Sequence, residues 1–488
     1  MTIRMNGRFL ARFLRIAVIA HLGGATIFTA HSQSAPPSAE HVWHTKGEQE
    51  LSQASTHVDA AYSIDPAKIY SLAELIDLAQ MHNPETRVAW QEAKAKAAAL
   101  GIARGALYPT IAAVALAETA RQASLIGEYF HRQTLGVFEP VLHVEYLVFD
   151  LGGRSGAIDV AKANLLSSDL AFNDTHRKII FAVASAYYRL LNARGQREAA
   201  EVSLTNAQTV EEDAESRLKN GLATKPDQLE ASAARAQADF DLQSAVGAED
   251  IARGDLATEL GLAPDTKIQV QPISELALPQ EMVDSVDHEI DRAFAQRPDL
   301  LAQVARLRAA SASIKQARST YFPSLSFSGD GGLARAYGQQ DLLPRSYAQG
   351  EVWSVGVELK WTLFDGARRE HEIAQALAEK RATQAQIDSL RDQIANEVWA
   401  AYSNVKTAHR QQQAAMELLT ASDQSYEAAR ESYGYGVRSL LDVVSAQKAL
   451  AQARSEDVFA RTQLLLQVTN LTFRTGDLLQ AQPVKSVP

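Results

Sequence analysis

Cysteine occurs nowhere in the 488 residues. Its absence excludes thiol catalysis, cysteine metal sites and disulfides, and it leaves the compartment open. A basic excess is missing too: 48 Lys and Arg against 58 Asp and Glu give a formal charge of −10, which argues against nucleic acid as a partner. Beyond the N-terminus, no uncharged apolar run approaches the ~20 residues of a spanning helix. If this chain crosses a membrane, strands must do the crossing.

What is present begins with Arg4, Arg8, Arg12 and Arg15 ahead of an apolar run from Ile16 to Ala30. That pattern reads as a secretory signal peptide over 1–32, with Ala30-His31-Ser32 as a cleavage site; a short membrane anchor is the alternative. Residues 33–68 are polar and aperiodic, a flexible segment. Its His41 and His44 lack the further ligands a metal site needs. From Ser71, an N-cap with Glu74 three residues on, a helix runs to Asn83-Pro84, and a second continues to about Leu107. Tyr108-Pro109 breaks it. A strand hairpin is expected over about 110–149, with a loop near Arg121 to Gln133 and, from Leu135, Phe138, Leu142, Val144 and Tyr146 opposed by Glu139, His143 and Glu145. A very long helix from about Arg154 to Lys219 and a return helix from Pro226 to about Leu260 form a coiled-coil hairpin.

After a proline-bearing linker over 262–287 the programme repeats. Tyr108-Pro109 corresponds to Phe322-Pro323 at an offset of 214, and Phe149-Asp150 to Phe364-Asp365, Gly221 to Gly436 and Asp227 to Asp442 at 215. The chain therefore reads as two units, 69–261 and 288–476, with a tail at 477–488. In the second unit a strand hairpin is expected over about 324–364, its Gly329-Asp330-Gly331-Gly332 read as an external loop. Ile387, Leu390, Ile394, Val398, Ala401 and Val405 step by 3, 4, 4, 3 and 4, a mean of 18/5 = 3.6 and an apolar seam on a long helix.

Between Glu351 and Phe364, Trp353, Val355, Val357, Leu359, Trp361 and Leu363 alternate with Ser354, Gly356, Glu358, Lys360 and Thr362. The period is two. Trp353 and Trp361 lie about 26 Å apart along such a strand, or about 19 Å vertically at a 45° tilt. Apolar residues toward lipid, Glu358 and Lys360 toward a lumen, and Trp353 and Trp361 near the two interfaces make a membrane β-strand. Two strands per unit give four per chain, too few to close a barrel of useful bore. Open edges in hydrocarbon cost several kcal/mol per unpaired group, so strand closure has to come from several copies.

The duplication, the Y-P and F-P junctions before strands, the F-D exits from them and the turn G-V-R-S-L-L-D-V-V-S-A-Q resemble the TolC and OprM family of outer-membrane efflux channels over about residues 70–475. The resemblance implies a mainly α fold with membrane β: duplicated helical hairpins forming a trimeric α-barrel, and four strands per chain contributing to a twelve-stranded β-barrel. It implies a homotrimer in the outer membrane of a Gram-negative bacterium, reaching into the periplasm. It would be coupled through a periplasmic adaptor to an inner-membrane RND or ABC transporter, with no cofactor. Lacking cysteine, the chain is similar to the unlipidated branch. By carry-over, Tyr433 and Arg438 link to Asp227 in a periplasmic gate, Arg438 partly across the subunit boundary, and Asp442 faces the pore. TolC itself has a second pore aspartate three residues after the first; here that position is Ser445, which implies weaker cation block. Read from spacing alone, Arg438 and Asp442 are an ordinary i, i+4 helix pair.

Enzyme readings fail on the residues. His371-Glu372 opens like H-E-x-x-H, but Gln375 takes the second histidine's place. The remaining alternative is a soluble periplasmic coiled-coil scaffold.

Overall fold

The computed structural model describes Leu51 and residues 62–479, apart from 127, 280–284 and 341–342. The expected signal peptide, most of the segment up to Lys68, and nearly all of the tail lie outside the described residues. A short strand β1 (Ile69–Tyr70) leads into α1 (Leu72–His82) and α2 (Pro84–Gly105), then β2 (Thr110–Ile126) and β3 (Tyr129–Phe149). The long α3 (Gly153–Lys219) and its return α4 (Lys225–Glu259) follow. After β4 (Gln269–Val270) come α5 (Val286–Gln296), α6 (Pro298–Ser319), β5 (Ser324–Gln340), β6 (Ser346–Lys360), α7 (Arg368–Gly434) and α8 (Leu440–Thr475). Lengths recur: α1 and α5 have 11 residues, α2 and α6 have 22, and α3 and α7 have 67. At 1.5 Å per residue the 67-residue helices are rods of about 100 Å.

Local chemistry explains the helix starts. Ser71 and Glu74 form a reciprocal capping box, and the Asn83 side chain caps α2 ahead of Pro84. The seam on α7 is packed as its spacing predicts: Ile387, Ile394, Val398, Ala401 and Val405 are buried against Ala293, Leu300 and Leu471. In the first half, Ile179, Val183, Tyr187, Leu190 and Leu191 of α3 pack against Leu75, Ala79 and Leu256. The parallel pairing of β1 with β4 lies beside this core. The linker expectation missed it, because two residues carry no legible period.

The four long strands make one antiparallel sheet in the order β2-β3-β5-β6, leaving one side of β2 and one side of β6 unpaired among the described residues. Three expectations need correction. Residues near Arg121 to Gln133 are not a loop: β2 and β3 pair from Thr110↔Glu145 up to Ile126↔Tyr129. Gly329-Asp330-Gly331-Gly332 is not an external loop either, since it lies inside β5, paired to β3 and β6 on both sides. A Cβ at Gly332 would come within 2.2 Å of the Pro140 carbonyl oxygen, so the glycine permits a strand contact that no side chain would. Finally, β6 ends at Lys360. Trp361 and Leu363 lie just beyond, where the Trp361 indole N–H donates to the Tyr321 carbonyl at 3.1 Å.

Where strands hand over to helices, aspartate and arginine do the turning. Asp150 accepts from the Arg154 backbone N–H at 2.5 Å, and the Arg154 guanidinium donates to the Ala106 and Val148 carbonyls. In the second half Arg369 pairs with Asp365 at 2.8 Å and donates to the Thr362 and Leu363 carbonyls.

A buried ionic network joins the halves. Arg177, 1% exposed, donates to Asp174 and to the Phe473 carbonyl at 2.7 Å, stacks on the Phe473 ring, and lies 3.7 Å from Asp299. Arg297 pairs with Asp299 at 2.6 Å and Glu397 at 2.8 Å, and Arg474 reaches Glu397 at 2.9 Å. Burial opposes the Asp299 charge, yet its hydrogen bonds from Arg297 hold its carboxyl below the ordinary range. Breaking such a network costs about 3–5 kcal/mol, against at most about 1 kcal/mol for an exposed pair. Arg177→Met is therefore expected to lower the thermal midpoint of the detergent-solubilised protein clearly, and Lys315→Ala, which removes the half-exposed pair with Asp159, to leave it nearly unchanged.

Candidate functional site: two hairpin turns and a two-faced sheet

The two helical hairpins turn in the same way. Gly221 (φ 72°) and Gly436 (φ 76°) take the left-handed conformation that closes a helix. Leu222 N–H donates to Arg217 C=O and Val437 N–H to Ser432 C=O, the paired 6→1 bonds of a Schellman motif. Thr224 and Ser439 then cap the return helices. Asp227 Oδ2 accepts from Thr224 N–H and Oγ1 at 2.8 and 2.7 Å, and Asp442 Oδ2 from Ser439 N–H and Oγ at 3.0 and 2.8 Å. Hydrogen bonds from the capping hydroxyls, with the backbone bonds adding, hold both carboxyls below the ordinary aspartate range.

The side chains differ between the turns. Within one chain neither Tyr433 nor Arg438 hydrogen-bonds Asp227. Tyr433 instead lies under the Arg217 guanidinium at 4.4 Å, and Arg217 also donates to the Gly434 carbonyl at 2.9 Å. Burial pushes the Tyr433 hydroxyl up and Arg217 opposes it, while Asp227 adds to the rise through space. Arg438 is exposed and acts on Asp442 only through space; Ser445 is exposed one turn further along α8. Sequence reasoning missed Arg217. Its one signal was a basic residue in the last turn of a helix. Beneath the turns, Val210, Ala214 and Ala231 pack against Tyr426, Ala429, Leu440 and Val443, so the two hairpin tips share one core.

The sheet sorts its side chains by face. Register places Trp353, Val355, Val357 and Leu359 of β6 with Gly331, Gly329, Phe327 and Leu325 of β5, and Leu142, Val144 and Tyr146 of β3 lie on the same side. Trp353 is 78% exposed in the single chain and Trp361 58%. The opposite face carries Glu358 and Lys360, paired in register with Ser326 and Ser324. It also holds a polar cluster that sequence reasoning did not foresee, because its members come from three strands. His143 Nδ1 lies 2.7 Å from Asp330 Oδ1, and Ser354 Oγ donates to Asp330 Oδ2 at 3.0 Å. Further toward the hairpin ends, back on the Trp353 side, Tyr337 hydrogen-bonds Thr119, stands beside Tyr347, and covers Gly136, where a Cβ would meet its ring at 2.1 Å. Aromatic cover of a strand glycine is a recurrent way to fix register in a curved sheet.

The family model for outer membrane efflux proteins matches residues 75–262 and 290–477, well over half of the chain. The chain belongs to that family. Protein CyaE of Bordetella pertussis is 30% identical over 411 residues, covering 84% of each chain. Outer membrane protein OprJ of Pseudomonas aeruginosa is 26% identical over 435 residues, covering 88% of each. Among solved structures, the CmeC outer membrane channel of Campylobacter jejuni superposes with a TM-score of 0.71 at 19% identity, covering 86% of this chain and 93% of that one.

Membership of the outer membrane efflux proteins settles the class: the chain is a channel component of the outer membrane, not an enzyme, and the soluble-scaffold reading is set aside. Among the described residues no group of His, Asp and Glu is arranged to hold a metal ion. No described helix is long and apolar enough to cross a membrane.

Two outcomes test the turns. Because the folded values of Asp227 and Asp442 are depressed, the caps contribute fully above the ordinary aspartate range and fade as pH falls below it. Amide protection at the start of α4 and α8, corrected for intrinsic exchange, should hold from neutral pH to that range and then drop. Removing Arg217 withdraws a ring contact and a hydrogen bond, together on the order of 1–2 kcal/mol. Arg217→Ser should accordingly raise exchange in the Tyr433–Val437 turn roughly tenfold; an unchanged rate would assign the order of the turn to its backbone motif alone.

Proposed function

We propose that the chain is the passive exit duct of a tripartite efflux or type I secretion system, working as a homotrimer. The observation that carries this is the sheet: one face apolar and exposed, one face polar, and two edges unpaired. In hydrocarbon those edges need partners. Three copies supply twelve strands, and β6 of one copy closes on β2 of the next. The apolar face with Trp353 meets lipid and Trp361 sits at the interface nearer the helices, while Glu358 and Lys360 line the duct. Energy comes from an inner-membrane pump of the RND or ABC class through a periplasmic adaptor. A groove of about 700 Å³ between α3, α4 and α8, lined by Ala199, Ser203, Ala238, Gln237, Gln447 and Gln452, offers small and amide side chains against which an adaptor helix could pack closely. Cargo is small molecules or proteins.

The periplasmic end closes at the hairpin turns. Capping uses one oxygen of Asp227, which leaves its charge able to meet Tyr433 and Arg438, Arg438 partly across the subunit boundary, since among the described residues of its own chain it has no ion pair. Asp442 and its two symmetry mates converge on the axis and attract cations. With Ser445 in place of a further carboxylate, the block by cations is weaker. In planar bilayers Arg438→Ser and Asp227→Ala should each raise single-channel conductance by about twofold or more, with trimers intact in native gels. Conductance equal to the unmodified channel in both variants would sink the assigned link.

A further inference from the structure

In the strand hairpins the one lysine, Lys360, faces inward with Glu358, but the guanidinium groups keep to the other face. β2, β3, β5 and β6 contain three arginines, Arg121, Arg132 and Arg335, and the register places all three on the apolar, outward side. Of the six carboxylates in these strands, Glu118, Glu139, Glu145, Asp330 and Glu358 face inward, and Glu351 alone faces outward. Arginines placed only for solubility would not avoid one face.

Their height is equally specific. Arg335 is in register with Gln349, which is 361 − 349 = 12 residues from Trp361. Twelve residues at about 3.3 Å span some 40 Å of strand, or about 28 Å vertically at a 45° tilt, just above the ~25 Å apolar band of an outer-membrane barrel. Arg335 thus stands at the upper edge of the band, on the side of the hairpin turns and away from the helices. Tyr337 and Tyr347 lie one register row higher, Arg121 pairs with Thr134 another row up, and Arg345 stacks over the Tyr337 ring at 5.0 Å. Arg121, Arg335 and Arg345 are exposed, and none has a carboxylate partner among the described residues. Unpaired guanidinium groups at the rim of hydrocarbon, with aromatic rings between them, match an anion that is itself tethered to acyl chains. A guanidinium binds phosphate oxygens in bidentate fashion and its bound rotamer needs little further ordering.

We propose that this outward rim, built from Arg121, Arg335 and Arg345 around Tyr337, binds the phosphate groups of a multiply acylated, phosphorylated glycolipid in the outer leaflet, with the acyl chains lying on Leu333, Leu142 and Trp353 below. The proposal rests on the channel reading, which orients the apolar face toward lipid. The bound lipid acts as a fixed collar that sets the depth of the barrel in the membrane.

The test uses the purified full-length trimer in mixed micelles, with retained lipid counted by native mass spectrometry. The probes are bis-phosphorylated lipid A and the same glycolipid stripped of its phosphates. The phosphorylated form should be retained about tenfold more strongly. The triple variant Arg121→Gln, Arg335→Gln, Arg345→Gln should lose that preference, and Glu118→Gln on the inward face should keep it. Excess inorganic phosphate should fail to displace the glycolipid; displacement by phosphate alone would make the rim a free-anion site and overturn the lipid assignment. Equal retention of the two glycolipids by the unmodified trimer overturns the proposal whatever the variants do, so a poorly folding triple variant does not shelter it. Conductance measured on the same preparations separates the two readings: open channels without a lipid preference sink the rim alone, and the absence of both trimer and conductance sinks the channel and the rim together.

Discussion

Two strand edges without partners constrain everything else in this chain. A four-stranded sheet with one apolar face could rest on a soluble core, but here no described helix covers that face, and Trp353, Val355, Val357 and Leu359 stay open to their surroundings. Water would penalise the face and lipid would penalise the edges. Only closure by further copies satisfies both. Closure in turn requires each chain to deliver its strands at one end and its helices at the other, and the Asp-Arg pairs at the strand exits make that hand-over by tying carbonyls at or just past the strand ends to the first helical turn.

Duplication produced two halves with the same backbone and different glue. In the first, Asn83 caps α2 and donates to the Glu259 carbonyl above a core of Leu75, Leu190, Leu256 and Leu260. In the second, the equivalent position is Arg297, and carboxylates from α6 and α7 gather around it. Apolar packing tolerates small shifts because it is non-directional. The ionic cluster tolerates few, since each guanidinium is held by several oxygens at once. One half therefore supplies a deformable joint and the other an indexed one.

Long periods were legible in the sequence and short or shared ones were not. The α7 seam, the Ser71 capping box and the Gly-to-Asp spacing of both turns are local patterns, and the structure has them where the residues put them. The upper ends of the strands were read as loop because around Arg121 to Gln133 polar residues occupy both faces, above the height at which lipid enforces alternation. Gly329 to Gly332 looked like a loop because glycine usually breaks strands; here it admits the close approach of Pro140. Arg217 and the His143, Asp330, Ser354 cluster draw members from separate elements, and such contacts leave no mark in a linear spacing.

The buried clamp at Arg177 also has a mechanical meaning. From Arg177 to the end of α3 at Lys219 is 219 − 177 = 42 residues, or about 63 Å of helix. That makes the helix a lever with its fulcrum at the ionic cluster and its far end at the turn, where the two hairpin tips are packed together. A tilt of about 5° at the fulcrum carries the tip through some 5 Å, about one helical pitch. Three such tips moving apart would widen an axial opening from closed to the width of a small solute, with no helix unwound and no strand hydrogen bond broken. If the duct closes at these turns, as proposed above, angular play at residues far from them would set its aperture.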